Sequence, residues 1–250
     1  MRADLHIHTA LSPCASQEMT PAAIVGTAIE MGLDMIAVCD HNSAGNTAAV
    51  RKAAARMAEG RGIAVIDGME ITTLEEVHVL GLFRDNTAAC AVTEKVLSTL
   101  PLFDGGSRGS HPVLQEQVLF GENGKTHGFE LRILSAATAF GLSESVEIIK
   151  RSGGLAIASH VDRPSFGVLS QLGLFPADSG LDALELSAAG VRAGRMDEFA
   201  SIGLPLVSFS DSHSLFEIGA SCTLFEIREP TFDELVLALG GLAGRGFRIA

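Results

Sequence analysis

The fold class rests first on residues 3–8, ADLHIH, and residues 35–41, MIAVCDH. Each stretch is a short apolar run that passes directly into imidazole or carboxylate side chains. Similar runs alternate with helical patterns along the chain, and the first helix is predicted to begin at Thr20-Pro21 and to end near Gly32. Strands that alternate with helices indicate parallel βαβ units.

The other predicted elements continue this alternation. Strands are predicted at Ala3–Ile7, Met35–Cys39, Ile63–Ile66, Val77–Phe83, Leu155–Ser159, Ala183–Leu186, Leu206–Phe209 and Cys222–Ile227. Helices are predicted at Asn46–Glu59, after Asp85, around Ser143–Arg151, at Gly190–Ile202 and at Thr231–Leu242, the last with a capping box from Thr231 to Glu234. So many units in 250 residues predict one domain over residues 1–250, an α/β barrel of the TIM-barrel type.

Residues 101–130 interrupt the pattern. This stretch, from Pro101 to Glu130, is glycine-rich and lacks clear periodicity, and it is longer than most connections in a compact domain. We expect a loop insertion near the active site, with a solvated surface excursion as the alternative.

The charge of the chain bears on its partners. The 18 Lys and Arg residues against 30 Asp and Glu residues give a net charge of −12, and no basic cluster marks a surface for nucleic acid or anionic membrane. We therefore expect neither polymeric nucleic acid nor a membrane as partner, whereas the charge does not disfavour a small phosphorylated substrate held by metals. Four separated cysteines, no apolar leader and no apolar run of about 18 residues predict a cytoplasmic protein without disulfides.

Most of the histidines fall at or beside the ends of predicted strands, where an α/β barrel collects its catalytic groups. His6 and His8 are two residues apart, so in a strand both imidazoles project from one face and can meet the same ion. Asp4 shares this face, and we expect it to orient a ligand from behind. The other strand ends carry Asp40 and His41, Glu70, His78, His160, Asp211 and His213.

This set of side chains predicts a metal centre. Neutral imidazole and carboxylate together suit Zn, Mn or Fe, and a carboxylate such as Glu70 can bridge two ions, so more than one metal is expected. His111 and His127 lie in the insertion without a strand end to position them. We expect both to be surface residues.

The ordered motifs resemble those of one family. Asp-Leu-His-Ile-His at 4–8, Asp-His at 40–41, Gly-Met-Glu at 68–70, His78, His160 and Asp-Ser-His at 211–213 resemble the PHP (polymerase and histidinol phosphatase) superfamily. The resemblance implies a distorted barrel of about seven strands and two or three divalent metal ions. It assigns one ion to His6, His8, Glu70 and Asp211, a second to Glu70, His78 and His160, and a third to His41, His213 and a residue of the loop after the first strand.

That last ligand departs from the family pattern. Relatives place an Asp or a His five or six residues after the second histidine, where this chain has Pro13 and Cys14. Cys14 is thus a candidate ligand that would favour Zn, and a small thiol without a metal role is the alternative. Asp40, which precedes His41, is expected to support the ligands from behind.

The resemblance implies a metal-dependent hydrolase of phosphate esters, acting on a small phosphomonoester or a nucleotide through a metal-activated water. His41 or His213 is the candidate for protonating the leaving group. Arg163 is a candidate phosphate clamp, with a surface salt bridge as the alternative, and Arg192 is a weaker candidate. Any base stacking would use a phenylalanine such as Phe103, Phe129 or Phe166 because the chain has no Trp or Tyr.

Two other functional classes stay open at this point. A barrel amidohydrolase also begins with HxH and would attack C–N bonds, but the Asp40-His41 pair and the late Asp-x-His speak against it. A non-catalytic metal-binding module is the third reading, which the near-complete set of ligand types disfavours.

Overall fold

The computed structural model describes residues 1–57, 62–103 and 116–250. Its main sheet contains the strands β1 (Arg2–Ile7), β2 (Met35–Val38), β3 (Ala64–Thr72), β4 (His78–Phe83), β7 (Leu155–Ala158), β8 (Ala183–Glu185), β9 (Leu206–Val207), β10 (Thr223–Glu226) and β11 (Gly246–Ile249), and a separate hairpin contains β5 (Val118–Phe120) and β6 (Thr126–Phe129). The helices are α1 (Pro21–Glu30), α2 (Thr47–Arg56), α3 (Asn86–Leu97), α4 (Leu142–Arg151), α5 (Val168–Leu172), α6 (Ala188–Arg192) and α7 (Phe232–Leu239), with 3-10 turns at Arg195–Ile202 and Leu215–Glu217.

The main sheet curls into a nearly closed barrel. Its strand order is β11-β10-β1-β2-β3-β4-β7-β8-β9. The chain that leaves β9 returns beside β1, where the Ser212 amide donates to the His6 carbonyl (3.2 Å) and the His8 amide donates to the Ser212 carbonyl (3.0 Å). The predicted α/β barrel is confirmed, and the closure brings residues 211–213 next to the first strand.

Strand direction departs in part from the predicted pattern of parallel βαβ units. β1, β2 and β3 run parallel, as do β7, β8 and β9, but β4 is antiparallel to both β3 and β7. Residues 73–77 are too few for the helical crossover that a parallel pair needs. The first residue of β4, His78, therefore lies at the same end of the barrel as the last residues of the parallel strands. β10 and β11, of which β11 was not predicted, form an antiparallel edge on β1.

Local chemistry explains the helix boundaries. The Thr20 hydroxyl accepts from the Ala23 amide at the start of α1, and the Asp85 carboxylate accepts from the Ala88 amide at the start of α3. The predicted continuous helix at 190–202 is instead broken by Gly194, which adopts φ +70°, so that α6 is followed by a 3-10 turn.

The barrel interior is filled with apolar side chains. Leu5 of β1 and Leu80 of β4 belong to one buried cluster although their strands are not neighbours in the sheet. Other buried clusters lie under α1 and α2 and under α3 and α4. No helix within the described ranges is long and apolar enough to cross a membrane.

The inserted hairpin packs on the rim where β1 and β2 end. The Val118 amide donates to the Ala10 carbonyl (2.9 Å), and the buried Asn46 side chain bonds both the Val118 carbonyl (2.9 Å) and the Phe120 amide (2.8 Å). The described part of the insertion thus contacts the loop that follows His8. Residues 104–115, with His111, lie outside the described residues.

Candidate metal centre

Glu70 is the centre of the site. It lies on β3, its side chain is about 1% exposed, and imidazoles of five different histidines surround its carboxylate. The distances to Oε1 are 3.1 Å from His78 Nδ1, 3.4 Å from His6 Nε2 and 3.4 Å from His160 Nε2, and those to Oε2 are 3.1 Å from His41 Nδ1 and 3.5 Å from His8 Nε2. A single carboxylate thus touches side chains from four strands or strand ends.

Strand geometry explains this convergence. His41 follows β2 and forms a parallel bridge with Glu70, so the ends of the two strands lie side by side. His78 reaches Glu70 from the antiparallel strand β4. His160 and Asp211, which follow β7 and β9, adopt φ +28° and φ +51° in the left-handed region. Such backbone conformations are rare for residues other than glycine and cluster at functional sites.

Asp211 joins the histidine pair of β1 from the opposite side. Its Oδ1 lies 3.2 Å from His6 Nε2 and 3.1 Å from His8 Nε2, and His213 Nδ1 lies 2.9 Å from its backbone carbonyl. Three groups of donor atoms result, each within 4.8 Å: His6, His8, Glu70 and Asp211; His41, Glu70 and His78; and His8, His41 and His213. The first group coincides with the first predicted metal site, while the second contains His41 where the prediction has His160.

Unpaired atoms in the cluster fit divalent cations. His41 Nδ1 and His78 Nδ1 lie 3.1 Å from Glu70 oxygens without hydrogen-bond geometry. These two atoms and Glu70 Oε1 are therefore buried without a hydrogen bond among the described residues, and the three residues form one donor group. Buried polar atoms are otherwise nearly always satisfied. Burial raises the pKa of Glu70, but the nearby His78 and His6 outweigh burial and hold this pKa well below its usual range. The group is therefore a carboxylate. Burial and then His213 lower the pKa of His8, which leaves a neutral imidazole.

The Nδ1 atoms of His6 and His8, which face away from Glu70 and Asp211, contact residues outside the donor groups. His6 Nδ1 lies 3.0 Å from both carboxylate oxygens of Glu185, a buried residue of β8. His8 Nδ1 lies 2.9 Å from Ser12 Oγ, which donates to Asp40 (2.7 Å). These contacts direct both Nε2 atoms to Glu70 and Asp211.

The two predicted supporting carboxylates behave differently. Asp40 reaches His8 through Ser12, as expected of a residue behind the ligands. Asp4 bonds no imidazole among the described residues; its carboxylate accepts from the Ser210 amide (3.0 Å) and the Gly219 amide (2.8 Å). The predicted contact of Asp4 is therefore corrected: it fixes the backbone next to Asp211. Sequence reasoning missed Glu185, whose signal is an acidic residue between Leu184 and Leu186 in a buried run.

Cys14 lies on the side of His41 and His213. Its side chain is exposed, and it belongs to none of the three donor groups of the described chain. Partial burial raises the pKa of the Cys14 thiol, but hydrogen bonds from His213 and His41 outweigh this effect and lower the pKa to about 6. The structure thus brings Cys14 to the edge of the third group, where its role as a ligand stays a prediction.

The other candidates occupy the mouth of the site. Arg163 Nη1 lies 2.5 Å from Asp211 Oδ2 with 41% of its side chain exposed, so it is at the centre and open to solvent. Phe166 stacks on the His78 ring at 4.4 Å between centroids. His127 is exposed on the hairpin, away from the donor groups, as predicted.

Known proteins resemble this chain in part. The 5'-3' exoribonuclease Rnm of Escherichia coli (strain K12) is 36% identical over 87 residues, which are 34% of this chain and 28% of the relative. The lesion-specific endonuclease PfuEndoQ from Pyrococcus furiosus has the same fold, with a TM-score of 0.68 at 21% identity over 98% of this chain and 57% of that chain. An amidohydrolase from Chromobacterium violaceum also shares the fold, with a TM-score of 0.57 at 22% identity over 86% of this chain and 88% of that one. The chain therefore spans a little over half of the endonuclease, and the matched segment about a quarter of the exoribonuclease.

The expectation of a small phosphorylated substrate and of no polymeric nucleic acid is wrong. One relative is an exoribonuclease and the structural neighbour PfuEndoQ is an endonuclease. The net charge was a poor guide to the substrate because it indicates only whether a protein binds along a long stretch of phosphate backbone without regard to sequence. A site that takes hold of a few phosphates needs only local cations, whatever the total charge.

The family comparison confirms the resemblance that the sequence motifs indicated. Residues 4–161, more than half of the chain, match the PHP domain. This span includes Glu70 and the histidines around it, and Asp211 and His213 complete the centre from beyond its end. PHP domains bind divalent metals and their members are hydrolases, in agreement with the donor groups of this site. The chain belongs to the PHP domain family.

Proposed function

We propose that the chain is a metal-dependent phosphodiesterase that hydrolyses nucleic acid, with RNA as its substrate class. The observation that carries the proposal is the cluster around Glu70, in which five imidazoles and a second carboxylate converge next to a solvent-exposed guanidinium. The choice of RNA is supported by the activity of the relative Rnm.

The protein residues divide the work by position. His6, His8, Glu70 and Asp211 would hold one ion, and His41, Glu70 and His78 a second. When bound, such ions activate water and neutralise charge on the phosphoryl oxygens. The protein's part is to keep Glu70 and Asp211 ionised and to fix the imidazoles through the contacts behind them.

Arg163 is placed to bind a phosphate oxygen. Its guanidinium already contacts Asp211, and the planar fork matches the geometry of a phosphate. In the proposed mechanism it exchanges part of its contact with Asp211 for the non-bridging oxygens of the scissile phosphate and so orients the substrate over the centre.

His213 is better placed than His41 to protonate the leaving oxygen. Its side chain is 28% exposed, against 10% for His41 and 8% for His78, so it faces the side from which substrate enters. A general acid has to come within hydrogen-bond reach of the departing atom, which a fully enclosed imidazole does not do.

Hydrolysis of an end-labelled RNA tests the proposal. The purified chain is stripped with a chelator, reloaded with Mn²⁺, Zn²⁺ or Fe²⁺, and incubated with a 5'-phosphorylated single-stranded RNA and with DNA of the same sequence. We expect chelator-sensitive shortening of the RNA, abolished by Glu70→Gln and retained by Glu147→Gln, whose carboxylate is exposed on α4. A metal-loaded chain that leaves both nucleic acids intact contradicts the proposal.

A further inference from the structure

A groove runs from the metal centre across the ends of β8 and β9. It begins at Asp211 and Arg163, and its walls carry Arg192, Arg195 and Phe216. Its volume is about 560 Å³, enough for a nucleotide-sized ligand. The groove is continuous with the site proposed to hold the scissile phosphate.

The carboxylates that line this groove are already engaged. Asp162 accepts from the Ser187 amide (2.8 Å) and the Ser187 hydroxyl (2.7 Å). Glu217 accepts from the His213 amide (3.0 Å) and the Ser214 hydroxyl (2.6 Å). Their negative charge is therefore spread over local hydrogen bonds, which reduces repulsion of an incoming phosphate.

The two arginines of the groove wall, Arg192 and Arg195, differ in their contacts with other protein residues. Arg195 is tied to Glu198 (2.8 Å) and donates to the Asp162 carbonyl (3.2 Å), so it stiffens the wall. Arg192, at the end of α6, is exposed and forms no ion pair with any residue that the structure describes. An exposed guanidinium in a groove beside the centre is suited to a second phosphate.

Phe216 is the unusual member of the groove. Its side chain is 86% exposed, more than any other large apolar side chain of the described residues. Its neighbours are anchored, because Ile218 is buried, Leu215 packs on the cluster under α1, and Glu217 holds the turn by hydrogen bonds. The ring is thus held outward by a fixed backbone.

We propose that this groove binds the nucleotide next to the scissile phosphate. Phe216 stacks on its base, and Arg192 contacts its phosphate. Aromatic stacking tolerates any base because each base has a π face, so the groove confers affinity without sequence preference. The inference rests on the proposed function. It assigns the base contact to Phe216, which was not among the phenylalanines named from the sequence.

A fluorescence titration tests the stacking without catalysis. The chain contains no Trp and no Tyr, so the Phe216→Trp variant carries a single indole fluorophore. With chelator present, we expect a single-stranded RNA oligonucleotide to quench this emission saturably and an oligonucleotide of abasic residues to quench it far less. The control is Phe129→Trp, at a ring 49% exposed in a different cavity, where no quenching is expected. No quenching at position 216, or equal quenching in both variants, overturns the inference.

Kinetics give the second readout. Phe216→Ala is expected to raise the KM for RNA about tenfold, with Phe216→Tyr restoring it, as stacking contributions of this kind predict. The KM for the oligonucleotide of abasic residues, which carries no aromatic ring to stack, should not change in Phe216→Ala. Arg192→Gln should lower the salt dependence of RNA binding by about one unit of slope.

An unchanged KM for RNA in Phe216→Ala overturns the inference while the proposed function stands. Failure of the proposed function shows separately, as absent RNA hydrolysis in the parent chain.

Discussion

At the residue scale, the site depends on hydrogen bonds made on the far side of its ligands. Each β1 histidine uses one ring nitrogen to face the centre and the other to contact a fixed oxygen, Glu185 for His6 and Ser12 for His8. A contact of this kind selects the tautomer and the ring orientation before any ion is bound. Metal binding therefore depends also on residues that orient the ligands and do not coordinate the ion themselves.

Glu185→Gln tests this dependence. The substitution keeps the volume but removes the charge that faces His6 Nδ1 and the Oε2 that accepts from the His160 amide at 3.3 Å. We expect metal affinity to fall about 10- to 100-fold, the usual range for such outer contacts. The measurement is a metal titration by calorimetry beside Glu147→Gln, which should bind like the parent chain. Equal affinities in the two variants would show that Glu185 has only a packing role.

At the element scale, the centre depends on how closely neighbouring strands approach. Gly68 of β3 lies beside β2, and a Cβ at this position would come within 2.6 Å of Cys39 Sγ and 3.0 Å of the Val38 carbonyl. The same two strands carry His41 and Glu70 to their bridge. Any widening between them also moves these two predicted metal ligands apart.

Gly68→Ala is therefore expected to destabilise the fold. Overpacking a buried position costs about 1 to 3 kcal/mol, and denaturant unfolding monitored by circular dichroism measures it. The matched control is Gly62→Ala just before β3, where an added Cβ meets no atom of the described residues within 4 Å, so stability should stay within about 1 kcal/mol of the parent chain. A Gly68→Ala variant as stable as Gly62→Ala would refute the close approach of β2 and β3.

The elements also show what sequence reasoning reaches. Apolar runs that end in His or Asp placed most strands, because burial on both faces leaves a continuous hydrophobic signal. The direction of β4 was missed since it depends on the short connection 73–77 and not on the composition of the strand. The exposed position of Phe216 was missed because it is set by the packing of Leu215 and Ile218, which local sequence does not reveal.

At the scale of the whole molecule, the barrel encloses charge that its own residues only partly compensate. Glu70, Asp211, Glu185, Asp4 and Asp40 are all buried in a chain of net charge −12. Isolated buried carboxylates are costly, and imidazoles with unpaired nitrogens repay that cost incompletely. We therefore expect bound divalent cations to stabilise the folded chain.

Thermal unfolding measures that coupling. Metal at about 100 times its dissociation constant adds about 2.7 kcal/mol to the stability of the folded state, which corresponds to a rise in Tm of roughly 5 to 10 °C for a domain of this size. We expect this rise on adding Mn²⁺ or Zn²⁺ to chelated protein, its reversal by chelator, and its loss in Glu70→Gln, because Glu70 belongs to two of the three donor groups. Glu147→Gln should rise with the parent chain. A Tm that does not change with metal in the parent chain would mean that no ion stabilises the folded state. An equal rise in Glu70→Gln would mean that the ions bind elsewhere than at the centre around Glu70.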